Sequence, residues 1–274
     1  MTTITNLDSL RALTGLSQAS AKVSQASERI STGLRINRAS DDVGGMAVAN
    51  GLKTQIGSYN KVLDNVSQAS TVTQLIDTSL SQIVDILGYM RVAAVASLSD
   101  TLSPTDRTAY QAQIDAYFAS IDTIASNSTW NGTSLLTEVG ATMDIQTGVN
   151  SGDTTTLTFE VITSSTLEVD DLSTASASAA AAVTLIDTAL DTVNEYQAYI
   201  GSMANVMDAQ YNVATSAITN YSASYGTIMD TDYAAETANL AAAQIQRDGA
   251  TAMLVQGNGM NRSLVDYLLS SVSQ

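Results

Sequence analysis

The sequence predicts a mainly α fold, a long coiled-coil-like helical rod with a small β-hairpin and two terminal helical arms. Three observations predict it. Apolar residues recur by threes and fours along most of the 274 residues, which is the helical period. Pro104 is the single proline, so the commonest helix breaker interrupts the chain at one place. The period turns to alternation only around residues 143–161, as a short two-stranded element requires.

Taken in order, Ile4, Leu7, Leu10, Leu13, Leu16, Ala19, Val23, Ala26, Ile30 and Leu34 make one helical stripe, and Gly33 supplies a stop. A first helix is expected over 1–33. From Tyr59 the positions Val62, Val66, Ala69, Thr73, Ile76, Leu80, Ile83, Leu87, Met90 and Ala94 keep alternating steps of three and four, which is a coiled-coil seam. Ser103-Pro104-Thr105-Asp106 reads as a capping box with proline at the first helical position. Tyr110, Ile114, Tyr117, Ile121 and Ile124 follow, so the helices of 47–130 are expected to pack as an antiparallel pair.

At Asn131-Gly132 the period changes, and Met143, Ile145, Thr147, Leu157, Phe159 and Val161 alternate about Asn150-Ser151-Gly152-Asp153, giving a β-hairpin region over 131–162. Residues 163–182 have low complexity and read as an exposed connection. The heptad resumes at Ile186 and passes through Val193, Ile200, Met207, Tyr211 and Ala214 to Ile228, within a segment 183–235. A helix from 183 to 229 is about 70 Å long at about 1.5 Å per residue. The final stretch, 236–274, carries Leu240, Ile245, Met253, Met260, Leu264 and Leu268, interrupted by Gly249, Gly257 and Gly259, and mirrors the first arm.

Composition narrows the function. The chain has no histidine and no cysteine, which removes the usual zinc, copper and haem ligands, cysteine nucleophiles and histidine triads. No enzyme activity and no cofactor are expected. No basic cluster precedes a short apolar run, and no run approaches about 18 apolar residues, so neither a cleaved signal peptide nor a membrane span is read. The net charge of −16 is uneven: residues 1–61 hold seven Lys/Arg against four Asp/Glu, and residues 235–274 hold two against three, leaving −18 in 62–234. Such an acidic body repels nucleic acid and anionic membrane, and neither is expected as a partner.

The arms pose the main physical question. Each has one apolar stripe, and burial against a single thin partner arm does not offset the entropy of ordering about thirty residues. Neighbouring copies must supply the rest. Leu7, Leu10, Leu13, Leu16, Val23, Ile30, Ile245, Met253, Met260, Leu264 and Leu268 are therefore the candidate polymerisation residues, on arms expected to fold as they associate.

Between the first arm and the seam stands Leu34–Asn50, LRINRASDDVGGMAVAN, with two arginines, adjacent aspartates and a Gly-Gly pair. With the preceding residues from Glu28, ERISTG, it closely resembles the N-terminal signature of bacterial flagellin. A second resemblance to that family lies in Ser216–Asn220, Met229–Thr237 and Ala243-Gln244-Ile245. Together they cover about residues 1–162 and 183–270. The resemblance implies arms that form the inner tubes of a filament, a helical shell with a hairpin around them, and no large outer domain where residues 163–182 stand. It also implies that residues 34–46 are a spoke joining tube to shell, in which Arg35, Arg38, Asp41 and Asp42 pair within and between subunits while Gly44 and Gly45 let the chain turn.

By the same resemblance the chain is a self-assembling subunit of the flagellar filament, outside the cell and used for motility. Its implied partners are further copies of itself, the filament cap, the hook-junction proteins, and an export chaperone on the C-terminal arm. Family members sensed by a Toll-like receptor carry a run like L-Q-R-V-R-E-L-A-V-Q on the second helix. The matching run, Leu87–Ala96, keeps Leu87, Arg91, Ala94 and Val95 but has Tyr89, Val92 and Ala93 at the contact positions, and Gln113 completes the degenerate site. Weak or absent receptor recognition is expected. The arginine usual before the C-terminal D-x-D-Y-A segment is replaced by Gly226-Thr227-Ile228-Met229. The alternatives are a hook-filament junction protein, which need not polymerise indefinitely, and a secreted helical binding module. The protease carried by some family members is excluded by the lack of H-E-x-x-H.

Overall fold

The computed structural model describes residues 7–170, 172 and 179–272. Its helices are α1 (Leu7–Thr32), α2 (Val43–Ser97), α3 (Pro104–Asn127), α4 (Ala179–Met229) and α5 (Tyr233–Val272). Two short antiparallel ladders lie between α3 and α4: β1 (Thr129–Trp130) with β2 (Thr133–Ser134), and β3 (Thr142–Gln146) with β4 (Thr154–Thr158). The chain divides into two compact units, one of residues 1–54 and 220–274, the other of residues 55–219.

The second unit is built on the predicted seam. Ile76, Leu80, Ile83, Leu87 and Met90 of α2 are fully buried with Ile114 and Ile121 of α3 and Ile186 and Val193 of α4. The α4 seam is imperfect, because Tyr211 lies on the exposed side. Residues 98–103 reverse the chain, and α3 starts with the expected capping box: Asp106 N–H donates to Ser103 Oγ (3.3 Å) and Ser103 N–H donates to Asp106 Oδ2 (3.0 Å). Arg107 ties the reversal down by donating to the Ser97 and Ser99 carbonyls.

Asn131 and Gly132 both have positive φ, 50° and 82°, which is the conformation of a tight two-residue hairpin turn. The small β1–β2 ladder around it was not read from the sequence, where this pair marked only a change of period. In β3–β4 the pairs Met143 with Leu157 and Ile145 with Thr155 set the register, and Ile145, Leu157 and Phe159 turn into the core.

The expectation that residues 163–182 form an exposed connection is corrected. Leu167, Val169 and Leu172 are buried in the main core, and Asp122 accepts from Ser164 N–H (2.8 Å) and Oγ–H (2.9 Å). Three apolar residues set among Ser, Thr and Asp thus belong to the helical core. Helix α4 then begins at Ala179 rather than 183, while residues 171 and 173–178 of this segment lie outside the described residues.

By length and composition α2 is apolar enough to cross a membrane, which the reading of apolar runs did not anticipate. Its most apolar stripe, Ile76 to Met90, is the stripe buried in the helical core, so these residues already have apolar partners.

Candidate assembly surface of the terminal helices

The joint within the first unit starts where α1 ends. Gly33 has φ +73° and its N–H donates to the Arg29 carbonyl (2.9 Å), the left-handed stop expected there. The chain then runs alongside the end of α4: Arg35 N–H donates to the Met229 carbonyl (2.6 Å), and Thr231 N–H donates to the Gly33 carbonyl (3.0 Å). Ile36 is buried at this crossing with Ala49 and Met229.

The side chains of Arg35, Arg38, Asp41 and Asp42 form no ion pair with one another. Arg35 donates through Nε and Nη2 to the Ile228 carbonyl (3.3 and 2.8 Å). Arg38 holds Glu28 of α1 through Nη2 at 3.0 and 3.1 Å. Asp41 Oδ2 accepts from Asn37 N–H (3.1 Å) and Arg38 N–H (3.0 Å). Those backbone donors, Arg38 first, hold its carboxyl below the ordinary value. Asp42 caps α2 by accepting from Gly45 N–H (2.8 Å). Within one chain Arg38 thus pairs with Glu28 rather than with Asp41 or Asp42, whose carboxylates are taken by local amides.

The glycines are also reinterpreted. Neither Gly44 nor Gly45 needs a positive φ; both lie inside the first turn of α2. A Cβ on Gly45 would stand 2.5 Å from Asp42 Oδ2 and 2.8 Å from Ile36 Cδ1, whereas one on Gly44 would meet nothing nearer than 3.6 Å. Gly45 is required by close approach, and Gly44 is not.

Across the joint, Arg29 Nη1 lies 3.8 Å from Glu236 Oε1, with Glu236 buried. Asp232 caps α5, accepting from Ala234 N–H (2.8 Å) and Ala235 N–H (3.2 Å). Glu28, Arg29, Asp232 and Glu236 were not singled out by sequence reasoning. An N-cap pattern was available for Asp232, but none links residues 29 and 236.

Helices α1 and α5 run antiparallel. Gly33 faces Tyr233 and Arg29 faces Glu236 at one end, and Ser9 Oγ donates to Asn258 Oδ1 (3.2 Å) beside Gly257 at the other. The facing stripe on α1 is Ser9, Ala12, Leu16, Ala19, Val23, Ala26 and Ile30, all half-buried or buried. On α5 it is Glu236, Leu240, Ala243, Arg247, Ala250, Leu254, Gly257 and Asn261, again in steps of four and three. Small and larger residues alternate in both stripes, Ala19 and Ala26 between Leu16, Val23 and Ile30 on α1, and Ala243, Ala250 and Gly257 between Leu240, Arg247 and Leu254 on α5.

This divides the candidate polymerisation residues. Leu16, Val23 and Ile30 are half-buried in the α1–α5 pair. Leu7, Leu10 and Leu13 remain 53, 55 and 51% exposed, and Ile245, Met253 and Met260 remain 73, 67 and 58% exposed. Val255 and Val265, not named from sequence, join the exposed set. The side chains of Leu264 and Leu268 lie outside the described residues. So many large apolar side chains on one pair of helices mark an interaction surface.

Two family models match the chain: the bacterial flagellin N-terminal helical region over residues 4–141, and the bacterial flagellin C-terminal helical region over residues 183–268. The chain belongs to the bacterial flagellin family. It is 28% identical to the flagellar filament 33 kDa core protein of Treponema phagedenis, over 96% of the chain and 98% of that protein. Similarity to the flagellin of Salmonella paratyphi A reaches 33% identity but spans 63% of the chain and only 35% of that longer protein. The large variable domain is lacking here, and β3–β4 with the segment up to α4 occupies the interval between the two matched regions. Among solved structures, the Bacillus cereus flagellin aligns with a TM-score of 0.51 at 30% identity, covering 59% of the chain and 94% of that structure.

The residues matching the family's receptor run sit on the second unit. Tyr89 and Val92 are exposed on α2, and the Tyr89 ring lies 6.1 Å from that of Tyr117 on α3. Gln113 is exposed beside them and donates to Tyr117 Oη (3.0 Å). Ala93 is corrected as a surface position, because it is buried with Ala94 in the helical core. Arg91 is engaged by Asp187 of α4 at 2.6 and 3.3 Å.

Proposed function

We propose that the chain is the repeating structural subunit of a bacterial flagellar filament, that it assembles through α1 and α5, and that it works outside the cell in motility. The observation that carries this reading is the outward position of Leu7, Leu10, Leu13, Ile245, Met253 and Met260, which the contact between α1 and α5 leaves uncovered. Water contact at those side chains is unfavourable, and a second copy removes it. The joint at residues 28–46 and 226–236 fixes the last turn of α1 and the first turn of α5 through backbone hydrogen bonds, so each subunit presents the same surface.

The test is seeded growth. Purified chain added to filament fragments is expected to extend them to micrometre length, and arrested caps one subunit layer thick would instead establish the hook-filament junction role. A monomer that neither extends nor caps seeds, and whose α1 and α5 amides are protected in dilute solution, would establish a secreted binding module.

The finer partners follow from the same reading. The cap and hook-junction proteins meet the arms of end subunits, and an export chaperone covers the α5 face before assembly. Removal of α5 is expected to abolish chaperone capture, and capture by a chain lacking only α1 is the control. Tyr89, Val92 and a buried Ala93 offer a Toll-like receptor neither a charge pair nor an acidic acceptor. A potent response to purified monomer would overturn that expectation. Export without a cleaved leader is checked by the N-terminal sequence of the filament-borne chain.

A further inference from the structure

We propose that Met253 and Met260 form an oxidation site on α5, at which a peroxide converts the unassembled chain into one that cannot add to a filament. The inference rests on the filament reading for its consequence, though not for its selectivity. Met253 and Met260 are 67 and 58% exposed. They are seven residues apart on one helix, hence on the same side about two turns from each other.

The remaining described methionines are protected to different degrees. Met90, Met207 and Met229 are buried, and Met46, Met143 and Met203 are partly buried against the two core clusters. With no cysteine in the chain, thioethers are its softest nucleophiles. Susceptibility follows exposure, so α5 carries the two preferred targets.

In the reaction, the thioether sulfur attacks the terminal oxygen of the peroxide, the O–O bond breaks, and the leaving oxygen departs as water or an alcohol after taking up the proton. Sulfur is oxidised by two electrons and the peroxide is reduced by two. The product is a polar, strongly accepting sulfoxide where the surface was apolar. Burying it against a neighbouring copy leaves an acceptor without a donor. In a completed filament the same side chains are covered, so the sensitive species is the free subunit.

The full chain is treated as monomer with hydrogen peroxide, then followed by peptide mass spectrometry and by seeded growth. Oxygen uptake is expected at Met253 and Met260 about tenfold or more ahead of Met90 and Met207, with seeded growth falling about tenfold or more and recovering on treatment with methionine sulfoxide reductases. Whatever growth rate M253L/M260L shows untreated, peroxide is expected to leave it unchanged. Uptake at equal rates in all four methionines, or undiminished growth by the oxidised chain, overturns the inference. Failure of the untreated chain to extend seeds refutes the filament reading instead, and the order of oxygen uptake still decides the site.

Discussion

At Gly45 one added methyl group would crowd the start of α2. Its Cβ would push against both the Asp42 carboxylate that caps the helix and the buried Ile36 side chain. Gly45→Ala is therefore expected to lower stability by about 1–3 kcal/mol, from overpacking and a weakened cap. Gly44→Ala, with ordinary contact distances, is expected to be neutral or to stabilise by up to about 1 kcal/mol through helix propensity. Denaturant unfolding midpoints of the two variants check this, and equal losses would show that close approach is not what Gly45 serves.

Carboxylates at this scale also set an acid response. Asp41, Asp106 and Asp187 all lie below the ordinary value of 3.8, held there chiefly by the Arg38 amide, the Ser103 hydroxyl and the Arg91 guanidinium respectively. A depressed folded pKa contributes stability that is fully present above the unfolded value and is lost as pH falls through the folded one. That contribution is expected to persist down to about pH 4 and to fade below it. Asp187→Asn should flatten part of that slope, and an unchanged acid profile would remove Asp187 from the account.

At the scale of the helix pair, the contact and the exposed face of α1 make separable predictions. Ala26→Leu enlarges a side chain that is nearly inaccessible between α1 and α5, and is expected to lower chain stability by about 1–3 kcal/mol. Leu10→Ser alters a half-exposed side chain and should change stability by no more than about 0.5 kcal/mol while stopping seeded growth. If Leu10→Ser destabilises the monomer as Ala26→Leu does, Leu10 belongs to the chain's own core and the assembly surface is misplaced.

The helical period of α1 was legible in the sequence, but its sorting was not. A stripe of leucines and alanines tells which side is apolar, not which strip of that side a partner helix takes. The partner took the line through Ala12, Leu16, Ala19, Val23, Ala26 and Ile30, in which small residues alternate with larger ones. Leu7, Leu10 and Leu13 were left outside. The joint shows the same division: caps are local and readable, whereas the Arg29–Glu236 meeting joins residues far apart in the chain.

Across the whole molecule, charge is divided between the two units. Residues 55–219 hold 18 acidic against three basic residues, while residues 1–54 with 220–274 hold nine against eight. Stacking many copies brings the acidic units near one another, so their repulsion opposes what the apolar arms favour. Seeded growth is expected to accelerate as monovalent salt rises and the Debye length falls below about 10 Å at 0.1 M. Growth that slows with salt would mean that attraction between opposite charges, rather than apolar contact, drives addition.

By itself the sequence determined the period of every long helix, the capping box at Ser103, the stop at Gly33, the β3–β4 alternation and the family, because each depends on residues close together or on an ordered pattern. Only the tertiary structure decided that Leu167, Val169 and Leu172 are core, that Ala93 is covered, that Gly45 is needed for space, and which apolar residues of α1 and α5 stay outside. Those outcomes depend on which surfaces meet across the fold, and periodicity fixes a residue's side of its own element without fixing what lies opposite.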